Sequence, residues 1–225
     1  MSYTEDDLHA SADELHGTEK QQPVVRATNS QALRPFYHRS LSTEEPTSMP
    51  NREDIVLFAA YNTAMNTRVY AAAATLSANA LNADRGAFFG SILGTLNHLV
   101  AGDTIWLQRY QRHPAHFLAL EPMQEIAAPT GLTHRYSDDL GTLRAHRMRL
   151  DAIIEALAAE LSDADLAQPV SYRNSRGDCR KQFGSLLLHF FNHQTHHRGQ
   201  ASTLLSQSNV DIGVTDLVAW IPDLD

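Results

Sequence analysis

The sequence predicts an all-α protein, a bundle of four long helices with long connections. Four segments after residue 50 carry apolar side chains at helical spacing, and two long irregular stretches lie between them. The chain has 225 residues, 43% of them hydrophobic, which suffices for one domain with a substantial core. Because the connections are long, they permit crossovers, and the topology need not be simple up-and-down.

The first two predicted helices cover residues 52–80 and 88–111. The first is rich in Ala, Leu and Met and places its apolar side chains on one face. Gly86 lies in the break between them, since glycine is unfavourable inside a helix. His113 followed by Pro114 ends the second helix, because a residue before proline is driven out of the helical region.

The third predicted helix follows a long connection over residues 114–135. Ser137 is its expected N-cap, and the helix continues to Leu161. Asp138 and Asp139 would then lie in the first turn, where carboxylates suit the helix dipole.

The fourth predicted helix covers residues 181–206 and follows an irregular stretch that begins at Ser162. Within that stretch, residues 170–172 and the turn at 174–177 indicate a short β-hairpin. We expect residues 209–225 to form a tail that folds back on the bundle.

Composition excludes several classes of protein. A net charge of −8 argues against general nucleic-acid binding, and we interpret Arg144, Arg147 and Arg149 as a solvated helix face. Cys179 is the single cysteine, so the chain can form neither an internal disulfide nor a multi-cysteine zinc site. Any metal would therefore be held by nitrogen and oxygen ligands.

No apolar run approaches the ~18 residues that span a bilayer, and the acidic N-terminus does not resemble a secretory signal. We therefore expect a cytoplasmic protein that binds neither membrane nor nucleic acid. Residues 1–50 are polar and proline-containing, which predicts a mobile extension ahead of a domain at 51–225. Two interpretations stay open for the extension. It is a docking tail, or Met49 is the physiological start.

Three histidines stand at one-turn intervals near the C-terminus, at positions 189, 193 and 197. Side chains four apart lie on one face of a helix, so two such imidazoles can bind one metal ion. His189 and His197 are roughly 12 Å apart along the axis and cannot share an ion. The usable pair is His189/His193 or His193/His197, and His98 on another helix could complete a set.

The competing interpretation is that these histidines are only polar residues near a surface. Two common motifs for helix-borne metal sites are missing. Gln194 follows His193, so the H-E-x-x-H motif of zinc proteases is not formed. The domain also lacks the Glu-x-x-His pairs of ferritin-like di-iron sites.

Four strings in the domain nevertheless occur together and in order. They are YNTAMN at 61–66, NHLVAGDTIW at 97–106, NHQTHHRGQ at 192–200 and GVTDL at 213–217. This combination resembles the DinB family, the damage-inducible and YfiT-like metalloenzymes. The resemblance covers residues 51–225.

The resemblance implies a four-helix bundle of the DinB/YfiT-like type, often a homodimer. It also implies one divalent ion, zinc or nickel, held by His98, His193 and His197. Three protein ligands leave an open coordination position, as in catalytic metal sites. The resemblance implies an enzyme that acts on a small-molecule substrate. It would be either an S-transferase that uses a low-molecular-weight thiol or a hydrolase that uses metal-activated water. The alternative is a non-catalytic metal-binding stress-response protein. No general base can be named.

Neighbouring side chains have two interpretations each. Asp103 could accept a hydrogen bond from an imidazole or cap a helix. Asn62 and Asn66 could line the site or join two helices. Trp106 and Tyr110 are expected in the core or the pocket wall.

The remaining polar and small residues are expected to be structural. Arg198 points away from His197 and is predicted to serve helix packing or a salt bridge. Gly199 would allow another helix to approach closely. Cys179 is expected to be a passive thiol, and His189 a residue at the pocket edge or surface.

Overall fold

A computed structural model of the chain describes residues 50–131, 133–174 and 176–223. Residues 1–49 lie outside these ranges. The predictions of a mobile extension and of a start at Met49 therefore stay predictions.

The described residues are mostly helical and include one small two-stranded sheet. The helices are α1 (Arg52–Ala73), α2 (Ala78–Asn82), α3 (Ile92–Tyr110), α4 (Leu140–Glu160), α5 (Asp163–Ala167) and α6 (Phe183–Ser206), with 3₁₀ turns at Leu118–Glu125 and Leu217–Trp220. The antiparallel strands are β1 (Pro169–Asn174) and β2 (Gly177–Gln182), which confirms the predicted hairpin. An all-α description is therefore approximate.

The four long helices enclose one hydrophobic core. Helix α1 packs against α4 and α6, and α3 packs against the same two helices. Two contacts show that α3 and α6 run antiparallel. Tyr110 Oη at the end of α3 donates to the carbonyl of Leu186 near the start of α6, whereas His98 near the start of α3 contacts His197 further along α6. Large side chains fill the space between the helices, including Tyr70, Tyr110, Phe183 and Phe190. None of the described helices is long and apolar enough to cross a bilayer.

The first predicted helix was too long. Helix α1 ends at Ala73, and the Ser77 hydroxyl accepts a hydrogen bond from the Ala80 amide at the start of α2. A serine at this position caps a new helix better than it continues an old one, because its side chain competes for backbone donors. The range 52–80 is therefore two helices separated by a turn.

The next two long helices begin later in the chain than predicted, and in both cases a capping side chain decides the boundary. Helix α3 begins after Ser91, whose hydroxyl accepts from the Gly94 amide. The predicted N-cap of the third helix was wrong, since Asp139 caps α4 by accepting from the Thr142 amide. The Ser137 hydroxyl instead accepts from the amide of Asp139 itself.

Both long connections contain ordered turns. The connection at 114–135 holds the 3₁₀ turn Leu118–Glu125. Ser162 does not begin an irregular stretch; it forms a capping box with Asp165 and starts the short α5. The last long helix begins at Phe183, because β2 extends to Gln182.

The tail folds back on α1 over its described part, residues 209–223, as predicted. Tyr61 Oη donates to the carbonyl of Thr215 at 2.5 Å, and Arg68 donates to the carbonyl of Val214. The Trp220 ring meets the Tyr61 ring edge-on at 6.3 Å.

Arg147 corrects the interpretation of the arginine cluster as a solvated face. Its side chain is 2% exposed and forms an ion pair with Asp103 on α3 and, at 3.0 Å, with Asp151 one turn along α4. Burial raises the pKa of Asp103 above its ordinary value, and the Arg147 guanidinium opposes that rise. A buried charge needs a partner of opposite charge. The stability of the core therefore depends on Arg147, whereas a solvent-exposed arginine could be replaced.

The same polar network extends to the other two long helices. Asn66 and Asn62 on α1 donate to Asp151 Oδ1 at 2.8 and 3.3 Å. Asn62 also accepts a hydrogen bond from Arg198 on α6. The network therefore joins all four long helices in their core.

We expect Arg147→Ala to lower the free energy of unfolding by about 3–5 kcal/mol, because it leaves Asp103 and Asp151 buried without their cation. Arg149→Ala is the matched control. Arg149 lies two residues along the same helix, is 43% exposed and pairs with Glu125, so its loss should cost under about 1 kcal/mol. Urea unfolding measures both values. Equal losses would contradict the role assigned to the buried network.

Candidate metal centre

Three buried histidines converge between α3 and α6. His193 and His197 lie one turn apart on α6, and His98 faces them from the antiparallel α3. One potential ligand atom from each lies within 4.8 Å of the others, and the Nε2 atoms of His98 and His197 are 3.2 Å apart. Two nitrogens on one tetrahedral zinc would be about 3.3 Å apart at ordinary bond lengths. The three rings are therefore close enough to share an ion.

A glycine on α3 makes room for the His193 ring. A Cβ atom at Gly102 would lie 2.8 Å from Cε1 of His193, closer than real Cβ atoms approach other atoms. Gly199 does not have the predicted role, because nothing lies within 4 Å of the Cβ it would carry. The glycine that permits close approach is therefore on the opposite helix and faces the histidine cluster.

The environment favours the neutral form of the two α6 histidines. Burial, together with the neighbouring His197 and His98, lowers the pKa of His193 to about 2. Burial also lowers the pKa of His197. Within the described part of the chain, His193 Nδ1 is buried and has no hydrogen-bond partner. Neutral imidazoles with available lone pairs are the form that binds metal ions.

Gln200 orients one of the three rings. Its Oε1 lies 2.8 Å from His197 Nδ1, and an amide oxygen can only accept, so this nitrogen carries the proton. The lone pair of His197 is then on Nε2, the atom that faces His98. The Gln200 amide nitrogen is 3.2 Å from Nε2 of the exposed His196. Sequence reasoning did not assign Gln200, although its position three residues after His197 indicates this contact.

An aromatic ring covers the other side of the cluster. Phe89 stacks on the His98 ring with centroids 3.8 Å apart and meets the His197 ring edge-on at 5.5 Å. Sequence reasoning missed Phe89, because it placed this residue in the predicted helix 88–111, whereas Phe89 lies in the turn before α3. Phe88, next to it, is 54% exposed.

Asp103 and the two asparagines belong to the core network and not to the histidine cluster. Asp103 pairs with Arg147, and its second carboxylate oxygen has no partner among the described residues, so the imidazole and capping interpretations were both wrong. Asn62 and Asn66 join helices, which was one of their two predicted roles. Arg198 also belongs to this network, as expected for a packing residue.

The other predicted residues surround the cluster without joining it. His189 is half-buried, with its ring 6.1 Å from that of His193 and 5.2 Å from that of Trp106. Of the two pairs left open by spacing, His193/His197 is the one that meets His98. Trp106 and Tyr110 are buried in the core, as predicted. Cys179 is a free, half-buried thiol in β2.

Comparison with known proteins places the chain in a family. The model of the DinB family matches residues 49–220, which is most of the chain. No curated protein and no solved structure gives a significant match. The matched region contains all three converging histidines together with Gly102 and Gln200. The chain belongs to the DinB family.

Proposed function

We propose that this chain is a metal-dependent protein built on a DinB-type four-helix bundle. One divalent ion, zinc or nickel, is held by His98, His193 and His197. The observation that carries the proposal is the convergence of three buried imidazoles from two helices. Burying such polar groups is unfavourable unless a partner satisfies them, and an ion accepts lone pairs that hydrogen bonds leave unused.

The donor set supports a catalytic site more than a structural one. In the part of the chain that is described, the group of close potential ligands contains only the three histidines. Three protein ligands leave a coordination position for water or substrate, whereas structural zinc sites are usually closed by four. A divalent ion at such a site would lower the pKa of a bound thiol or water.

The chain's own residues supply position and shielding. Gln200 fixes the tautomer of His197, Gly102 admits the His193 ring, and Phe89 shields the face of His98 from water. Our leading reaction class is transfer involving a low-molecular-weight thiol, with hydrolysis by metal-activated water as the second. A cytoplasmic location, expected from the sequence, completes the proposal together with a small-molecule substrate and a homodimer, which rest on the family resemblance alone.

Metal analysis of tag-free protein tests the ligand assignment. We expect about one divalent ion per chain, and we expect His193→Ala to abolish binding while circular dichroism keeps its helical signal. His189→Ala, one turn earlier on the same helix, is the control and should retain the ion. Equal loss of metal in both variants would contradict the assignment, and a metal-free wild type would overturn the proposal.

Gly102→Ala should weaken metal binding by roughly tenfold or more, because the added Cβ forces the His193 ring out of place. Gly199→Ala is the matched control on the facing helix, where the methyl group meets open space. It should keep the ion and gain up to about 1 kcal/mol of stability from helix propensity. Competition with a chromogenic chelator measures both affinities. Unchanged affinity in Gly102→Ala would contradict the packing argument.

The thiol hypothesis is tested with cobalt-substituted protein. Titration with glutathione should change the visible cobalt spectrum as sulfur enters the open position. A spectrum that responds to azide but not to any thiol would favour the hydrolase. A spectrum that responds to neither ligand would favour the non-catalytic metal-binding protein.

A further inference from the structure

The turn before α3 places two phenyl rings beside the histidine cluster. Phe89 lies flat on His98, and Phe88 meets Phe89 edge-on with centroids 4.8 Å apart. Phe88 keeps 54% of its surface exposed although apolar side chains of this size are usually buried. The two rings form a continuous apolar surface, here called the aromatic wall, that runs from the cluster to the solvent.

The wall is held in place by its backbone. The Arg85 amide donates to the Gly90 carbonyl at 2.7 Å, and the Gly90 amide donates to the Ala87 carbonyl at 2.8 Å. Gly90 has φ +72°, which side-chain-bearing residues rarely adopt. The Phe89 carbonyl lies directly against Gly94 in the first turn of α3, where a Cβ would collide with it. The backbone that carries the rings therefore has a defined position relative to α3.

The charged side chains of the same turn are engaged with backbone groups. Asp84 Oδ1 accepts from the Gly86 amide at 3.0 Å, and Arg85 donates to the Ala80 carbonyl at 3.0 Å. Gln200, a polar group near His197, bonds both to that ring and to His196. The surface next to the cluster is thus apolar on the side of the turn, and a ligand there would meet phenyl rings.

The three imidazoles approach from α3 and α6, so the helices occupy one side of the cluster. The turn that carries the wall stacks on the His98 ring, so a substituent of a metal-bound molecule that leaves the cluster along this face would contact the wall. Apolar and aromatic lining beside a few polar anchoring groups is the usual composition of a small-molecule site. Exposed aromatic rings in such a place supply contact area and ring–ring contacts to a ligand.

We propose that the aromatic wall is a specificity subsite of the proposed metal centre. It selects ligands whose metal-binding group carries an aromatic or bulky apolar substituent, over wholly polar ones. This inference rests on the proposed function, because the metal anchors the ligand. Phe88 is the specificity-determining residue, and Phe89 forms the floor between it and His98.

The test uses the full-length chain loaded with cobalt and two probes that share one metal-binding group, acetohydroxamate and benzohydroxamate. We expect wild-type protein to bind benzohydroxamate more tightly, and Phe88→Ala to reduce that preference roughly three- to tenfold. Affinity for acetohydroxamate and the cobalt content should not change. Leu118→Ala, which truncates another exposed apolar side chain beyond the opposite end of α3, is the control and should keep the preference.

The outcomes separate the two proposals. If cobalt does not bind, the proposed function fails and this inference fails with it. If cobalt binds but neither hydroxamate does, or if Phe88→Ala keeps the wild-type preference, only the aromatic subsite is overturned. A preference lost in Phe88→Ala and kept in Leu118→Ala supports it.

Discussion

The close packing of α3 against α6 is the constraint on which the rest of this structure depends. Two histidines one turn apart on α6 form only half of a site, and the other half must come from a helix whose backbone lies very near. Gly102 permits that approach, since any side chain there would occupy the volume of the His193 ring. With the helices this close, the Nε2 atoms of His98 and His197 lie 3.2 Å apart.

The buried ion network complements this contact from the other side of α3. Asp103 follows Gly102 directly, so the residue that admits His193 is next to the one that binds Arg147 on α4. Charged networks in a core are not an efficient source of stability compared with apolar packing. Such networks do, however, restrict how the helices can pack, because every charged group must keep its partner in the same arrangement. We infer that the network fixes how α3 is rotated, and therefore where His98 points.

The sequence alone predicts features that depend on the spacing of nearby residues. It does not predict features that depend on contacts between residues far apart in the chain. Four-residue spacing identified the α6 histidines, but only the resemblance to a family selected His193/His197 over His189/His193. Arg147 was misassigned because its partner Asp103 is far away in sequence, although Asp151, four residues further along α4, is a local partner. Gly199 was given the close-approach role and Gly102 was given none, because a glycine's role depends on what faces it across the fold. Helix ends shifted where two capping residues, such as Ser137 and Asp139, lie close together.

The proposed metal ligands and the aromatic wall lie on different structural elements, so the two can be substituted independently. The groups that would hold the metal lie on two long helices, and their positions are tied to the core through Gly102 and Asp103. The aromatic wall lies on a turn outside these helices, where the Phe89 carbonyl lies against Gly94 and the Phe89 ring lies on His98. Substitution at Phe88 changes neither a core contact nor a histidine. The proposed ligand preference would therefore vary at this turn without any change in the proposed metal-binding geometry.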